Sequence, residues 1–220
     1  FLFFILTLFI TACSEPAKEV ATKAEKKKVA VKAKKDKTIL FFGNSLTAGS
    51  GLPIEESFPL VIQRKVDSLS YSYKCVNAGI SGETTSTGLS RLPWVLKQKV
   101  DVFVLELGAN DGLRGIPTDL TKSNLIQMID LVDSTYPEAT IILCGMQVPP
   151  NMGEQYASSF QKIYGEIASE KKDITLIPFL LEGVAGIQKL NQADGIHPTK
   201  EGCELVANTV WTYLEPALKK

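Results

Sequence analysis

From residue 38 onward, short apolar runs alternate with longer stretches in which apolar residues recur at helical spacing. Short apolar runs favour buried strands, and the 3.6-residue period favours helices. The five predicted strands cover residues 38–42, 73–77, 100–107, 140–145 and 173–177. The predicted helices cover residues 58–69, 118–135, 154–169 and 199–214, with a partly helical segment at 86–98 that Pro93 must bend or interrupt.

This alternation predicts one α/β domain over residues 38–220, built as a three-layer α/β/α sandwich around a five-stranded parallel sheet. In open sheets of this kind the active site lies outside the carboxyl ends of the strands. The loops that follow the strands are therefore the place to search for chemistry.

The first 13 residues form a candidate export signal. Residues 1–10 are almost entirely apolar, which suits the h-region of a signal peptide and is too short for a bilayer span of about 20 residues. The following Ile10-Thr11-Ala12-Cys13 resembles a bacterial lipobox, so we expect Cys13 to be lipidated. The alternative is a plain signal peptide cut near Ala12. The sequence has no initial Met and no basic n-region, so we expect the natural N-terminus to lie upstream.

A lipobox predicts a protein of the bacterial cell envelope, held at the membrane by its N-terminal lipid anchor. Ser14 is not the Asp associated with inner-membrane retention, which favours the outer membrane if the cell is Gram-negative. Residues 14–37 carry nine lysines, four acids and no aromatic residue, as is typical of a flexible tether. Residues 38–220 carry fifteen Lys/Arg against twenty acids, which argues against nucleic-acid binding. We expect a monomer.

Metal and disulfide chemistry is not predicted. Besides Cys13 the chain contains Cys75, Cys144 and Cys203, which form no Cys-x-x-Cys pair, so neither a structural zinc site nor a disulfide follows from their spacing. The single histidine excludes metal sites built from several histidines.

A serine follows the first predicted strand on a tight, glycine-flanked turn, Gly43-Asn44-Ser45-Leu46. An α/β hydrolase presents its nucleophile at such a place. The turn is not a Gly-x-Ser-x-Gly nucleophile elbow, however, and Ser45 could equally be a helix N-cap. This turn alone leaves both interpretations open.

The only histidine of the chain, His197, lies just before the last predicted helix in Asp194-Gly195-Ile196-His197-Pro198. Asp194 is three residues earlier on a glycine-containing turn, where its carboxylate could orient the imidazole and stabilise the imidazolium. A lone histidine is usually structural. Any histidine-based proton transfer in this chain must nevertheless use His197.

Two further strands end in glycine-rich turns, one containing Gly79 and the other containing Gly108 and Asn110. Such turns free backbone N–H groups, and Asn110 adds a neutral side-chain donor, as an oxyanion hole requires. The alternative is that these glycines only make turns.

Taken in order, these blocks resemble those of the SGNH/GDSL hydrolase superfamily, over roughly residues 38–215, and look closest to its acyl-CoA thioesterase I, lysophospholipase L1 and arylesterase branch. The resemblance implies a flavodoxin-like fold, with Ser45 as nucleophile, His197 as base and Asp194 as the orienting acid. It places the oxyanion hole at Ser45 N–H, Gly79 N–H and the Asn110 side chain. The usual Gly-Asp-Ser-Leu reads Gly-Asn-Ser-Leu here.

The expected function is that of a serine esterase that forms an acyl-enzyme without a metal or organic cofactor and acts on a small-molecule or lipid ester, such as a lysophospholipid or thioester. We expect Leu113, Ile116, Pro117 and Met146 to form an apolar wall for the substrate. Two alternatives stay open: an acetylesterase acting on O-acetylated polysaccharide, and a non-catalytic envelope binding protein on the same fold.

Overall fold

The computed structural model describes residues 1–2 and 36–219, so most of the predicted signal segment, Cys13 and nearly all of the tether lie outside the described residues. The described strands are β1 (Lys37–Gly43), β2 (Tyr73–Gly79), β3 (Val102–Glu106), β4 (Thr140–Cys144) and β5 (Ile174–Ile177). The described α-helices are α1 (Ser45–Ala48), α2 (Phe58–Ser68), α3 (Thr85–Val95), α4 (Ala109–Leu113), α5 (Thr118–Thr135), α6 (Glu154–Glu170) and α7 (Lys200–Leu214).

All five strands pair in parallel in the order β2-β1-β3-β4-β5. The predicted five-stranded parallel sheet is therefore confirmed. From β1 the chain adds β2 on one side and β3, β4 and β5 on the other, so the topological switch point lies between β1 and β3. A crevice opens there at the carboxyl ends of the strands.

Helices cover both faces of the sheet, because successive side chains of a strand point to opposite sides. Phe41 of β1 packs edge-on against Phe58 of α2, with ring centroids 5.7 Å apart. Its neighbour Phe42 points the other way, where the Arg91 guanidinium of α3 lies 4.2 Å from its ring centroid. Helices α2 and α7 pack together, and α5 packs against α3 and α6, which completes a three-layer sandwich.

The predicted α/β order is confirmed, while several boundaries differ. Pro93 does not interrupt α3, because the helix runs through it to Val95 and the Leu96 N–H still donates to the Leu92 carbonyl at 2.9 Å. Two short helices, α1 and α4, were not predicted, since four or five residues carry too little periodicity to detect.

Within the described residues, no helix is long and apolar enough to cross a membrane. The side chains of Cys75, Cys144 and Cys203 are buried. The same part of the chain contains no cluster of His, Cys, Asp and Glu side chains that could hold a metal ion.

Candidate active site

Ser45 is the first residue of α1, on a turn that we call the nucleophile turn (residues 44–47). The N-cap of this helix is Asn44, whose Oδ1 accepts from the Leu46 N–H at 2.9 Å. Ser45 is therefore not the cap, and its hydroxyl is free for other contacts. The helix ends after one turn at Gly49, whose φ of 77° is the left-handed conformation that favours glycine.

The structure brings Ser45, His197 and Asp194 together. Ser45 Oγ lies 2.8 Å from His197 Nε2, and His197 Nδ1 lies 2.7 Å from Asp194 Oδ2. The His197 side chain lowers the pKa of Asp194 to about 2, helped by the backbone N–H groups of His197 and Ile196, which donate to its carboxylate. Because an ionised carboxylate only accepts, Nδ1 carries the proton of neutral His197, and Nε2 is left to accept from the Ser45 hydroxyl.

Gln192 ties the loop of His197 to the loop that follows α1. Its Nε2 donates to the Ser50 carbonyl at 2.8 Å and to the Pro198 carbonyl at 2.9 Å. Its backbone N–H donates to the His197 carbonyl at 2.7 Å. These three bonds fix the separation between the segments that carry His197 and Ser45.

The glycine-rich turn after β2 corrects one predicted oxyanion donor. The Gly79 N–H already donates to Asn77 Oδ1 at 3.0 Å, and Gly79 does not line the pocket at Ser45. A Cβ on Gly79 would lie 2.3 Å from the Ala48 nitrogen, so glycine is needed there for the close approach to α1. Gly82 lines the pocket instead, and its N–H donates to no other group of the described residues.

Asn110 faces the same space from α4. One hydrogen of its Nδ2 is used by the Glu83 carbonyl at 3.1 Å, which orients the amide and leaves the second hydrogen available. The next residue, Asp111, is fully buried and accepts from the Thr85 N–H at 2.9 Å and from its hydroxyl at 2.5 Å. Asp111 therefore anchors α3 to α4.

Ser45, Gly82, Asn110 and His197 line a cavity of about 730 Å³. Its wall is largely apolar and is formed by Leu113, Met146, Val148, Phe179, Leu181 and Ile196. Two of the residues expected to form a substrate wall, Leu113 and Met146, thus line this cavity.

Ile116 and Pro117 do not line this cavity, which corrects that part of the predicted wall. The chain turns away from the cavity at Gly115, which has a φ of 64°. The Ile116 carbonyl then accepts from the Tyr156 hydroxyl at 2.7 Å, and Pro117 is the N-cap of α5.

This α/β sandwich, with a Ser–His–Asp relay at the carboxyl ends of its strands, has the architecture of a serine hydrolase. The chain belongs to the GDSL-like lipase/acylhydrolase family, which it matches over residues 41–205.

Three similar proteins agree with this assignment. The esterase TesA of Pseudomonas aeruginosa is 40% identical over 182 residues, which cover 82% of this chain and 89% of that protein. Thioesterase 1/protease 1/lysophospholipase L1 of Escherichia coli K12 is 37% identical over 180 residues, covering 81% and 84% of the two chains. The crystal structure of the psychrotrophic esterase EstA from Pseudoalteromonas, inhibited by monoethylphosphonate, superposes with a TM-score of 0.76 at 32% identity and covers 82% and 98% of the two chains.

The sequence did not point to Gly82, to Gln192 or to the part of the cavity wall that Phe179 and Leu181 form. Gly82 lies in the same turn as Gly79, and only the bond from Gly79 to Asn77 separates their roles. Phe179 and Leu181 follow β5 in a segment without helical or strand periodicity, so no sequence pattern connected them to the pocket.

Proposed function

We propose that this protein is a serine esterase that hydrolyses carboxylic esters, thioesters included, through an acyl-enzyme on Ser45. The observation that carries the proposal is the continuous chain of contacts from Asp194 through His197 to Ser45, at 2.7 and 2.8 Å, beside an apolar cavity. Family membership and the esterases among the similar proteins support it.

In the proposed reaction, Ser45 Oγ attacks the substrate carbonyl while His197 Nε2 takes the hydroxyl proton. The negative charge that develops on the carbonyl oxygen is stabilised by the N–H groups of Ser45 and Gly82 and by Asn110 Nδ2. His197 then protonates the leaving group. Water repeats the sequence with His197 as base, which releases the acid and regenerates Ser45.

We propose an ester with an apolar acyl chain as the substrate. The cavity has the size of a typical small-molecule site, and most of the side chains that line it beyond Ser45 are apolar. Each methylene that becomes buried there should add about 0.8 kcal/mol, or roughly fourfold in kcat/KM. An acetylated polysaccharide would gain nothing from this wall.

Hydrolysis of p-nitrophenyl esters from acetate to dodecanoate by the purified protein tests the proposal. We expect kcat/KM to rise over several methylenes and to fall by about 10⁶ in Ser45→Ala. A maximum at acetate would support the polysaccharide acetylesterase instead. If folded wild-type protein showed no turnover that depends on Ser45, a non-catalytic binding role would replace the proposed esterase.

We further propose that Cys13 carries the lipid anchor of an envelope protein, supported by Ile10-Thr11-Ala12-Cys13 after an apolar run. In bacteria that export the protein and are grown with an alkyne fatty acid, the wild-type protein should be labelled and should sediment with membranes. Cys13→Ala should lose both properties. Labelling of Cys13→Ala at the wild-type level would contradict the anchor without affecting the proposed esterase activity.

A further inference from the structure

A buried carboxylate lies directly beneath the nucleophile turn, and the reaction described above does not use it. Glu106 is the last residue of β3 and pairs in the sheet register with Gly43, the last residue of β1. The residue is 1% exposed. A carboxylate is seldom buried so completely unless it has strong partners, so its contacts indicate what it does.

Four hydrogen bonds from the nucleophile turn converge on Glu106. Oε2 accepts from the Asn44 N–H at 3.1 Å, the Thr47 N–H at 3.2 Å and the Thr47 hydroxyl at 2.8 Å. Oε1 accepts from Asn44 Nδ2 at 2.8 Å. Only an ionised carboxylate offers acceptor capacity to all four donors without presenting a proton to any of them.

Asn44 connects this anchor to the reacting serine. Its Nδ2 is held by Glu106, while its Oδ1 accepts from the Leu46 N–H at 2.9 Å and lies 3.4 Å from Ser45 Oγ. The side-chain amide therefore spans the distance from the buried carboxylate to the turn that carries Ser45.

We infer that Glu106 is a positioning residue that holds Ser45 in place through Asn44, and that the amide of Asn44 lets this anchor work without a shared proton. The inference rests on the proposed function, because it assigns a role within that reaction. With an aspartate at position 44, two carboxylates would face each other at this 2.8 Å contact and would need one proton between them.

Two buried groups, Cys144 of β4 and Tyr164 of α6, have pKa values that respond to the charge of Glu106. Burial raises the pKa of both well above their ordinary values, so both stay neutral at neutral pH. Burial also raises the pKa of Glu106 itself to about 7. Its four hydrogen bonds favour the ionised form and therefore act in the opposite direction.

Three variants separate the alternatives: Glu106→Gln, Asn44→Asp, and the double variant that carries both changes. In Glu106→Gln, two amides face each other and one donor is left unpaired. In Asn44→Asp, two carboxylates face each other. The double variant exchanges the amide and the carboxylate, so the new glutamine amide can donate to the new aspartate and still accept from Thr47 and the backbone.

We expect Glu106→Gln to lower kcat at least tenfold, with KM changed less than about threefold, because the substrate wall is untouched. Asn44→Asp should stay active near neutral pH, where the acid pair keeps its proton. As that proton leaves at alkaline pH, the kcat of Asn44→Asp should fall about tenfold or more relative to that of wild type. The double variant should recover most of the kcat lost in Glu106→Gln and should show no alkaline loss.

Asn77→Asp is the control for added charge at this place. Asn77 also donates to the nucleophile turn, at the Thr47 carbonyl, but its other amide contacts are the Ser57 hydroxyl and the Gly79 N–H rather than a carboxylate. Whatever activity this variant loses, the loss should not grow above neutral pH in the way expected for Asn44→Asp.

The rate at which a fluorophosphonate labels Ser45 should be measured alongside turnover, because it reports the nucleophile without requiring an ester substrate. Wild-type protein that labels but hydrolyses no ester would overturn the proposed function, while the variant series would still decide the role of Glu106. Unchanged kcat and labelling in folded Glu106→Gln, or a double variant no better than it, would overturn the inference. If Glu106→Gln fails to fold, an Asn44→Asp pH profile parallel to that of wild type does the same.

Discussion

At the scale of single residues, the proposed oxyanion hole rests on three donors, which come from the start of α1, from the turn after β2 and from α4. Asn110 is the one donor of the three that belongs to a side chain, so a substitution can remove it without altering a backbone N–H. We expect Asn110→Ala to lower kcat by about 10²–10³ with little change in KM, because the lost bond matters mainly in the transition state. A fall confined to KM in p-nitrophenyl ester assays would contradict this role.

The assignment of Gly82 rather than Gly79 predicts the geometry of an inhibited enzyme. In a crystal structure of the protein with a phosphonate bound to Ser45, the phosphonyl oxygen should lie about 2.7–3.1 Å from the Gly82 nitrogen and from Asn110 Nδ2. The Gly79 N–H should keep its bond to Asn77. A phosphonyl oxygen on the Gly79 nitrogen would restore the role expected from the sequence.

The residues of the relay were predictable from sequence because the blocks that carry them resemble, in order, those of the SGNH/GDSL superfamily. His197 is also the only histidine, and Asp194 is three residues before it. Gly79 and Gly82 are instead chemically identical, and which N–H is free depends on the side chain of Asn77. Glu106 looked like an ordinary strand residue, since its four partners come from a turn more than fifty positions away in the chain.

At the scale of elements, α3 holds the turn between β2 and itself in place through Arg91. The guanidinium donates to the Ala78 carbonyl at 2.9 Å, before the turn, and to the Glu83 carboxylate at 2.7 and 2.5 Å, after it. The turn closed in this way contains Gly82, and the Glu83 carbonyl orients Asn110. Arg91 therefore positions two of the three proposed oxyanion donors.

Replacing Arg91 with Lys keeps the charge but removes the fork that reaches both ends of this turn. We expect Arg91→Lys to lower kcat about tenfold, with KM nearly unchanged, in the same ester assay. Arg64→Lys is the matched control, because Arg64 also joins a backbone carbonyl to a carboxylate, at Glu55 and Glu204, but on the exposed surface. Equal kcat in the two variants would contradict a role for Arg91 in the oxyanion hole.

Helix and strand order was predictable because the long elements carry strong periodicity, as in α5, whose bounds were predicted without error. Pro93 shows where a local rule fails: α3 continues through it to Val95, and the Leu96 N–H still bonds to the Leu92 carbonyl. The one-turn helices α1 and α4 begin at Asn44 and Gly108 caps, whose effect depends on backbone geometry that the sequence alone does not reveal.

At the scale of the whole molecule, the sheet order could be expected only in part. Alternating elements indicate a parallel sheet, but the placement of β1 between β2 and β3 depends on long-range packing. That placement brings the end of β1 against the end of β3. It therefore puts Glu106 beneath Ser45, so the same topology that forms the crevice also buries a charge there.

Burial of Glu106 should make the stability of the whole molecule depend on pH. Its pKa is about 7 in the folded protein against 4.5 as the ordinary value, so the folded state binds more protons than the unfolded chain between these pH values. By linkage, the free energy of unfolding should fall as pH rises through this window, by on the order of 3 kcal/mol. The lowered pKa of Asp194, about 2 against 3.8, acts only at more acidic pH and in the opposite sense.

Urea denaturation of wild type and Glu106→Gln at pH 5 to 8 measures this contribution, because the groups that both proteins share cancel in the difference. The stability of wild type relative to Glu106→Gln should decrease as pH rises from 5 to 7 and level off near pH 8. A constant or rising difference would mean that Glu106 does not titrate in this window. A decrease would mean that the molecule loses stability over the pH range in which the anion of Glu106 forms beneath Ser45.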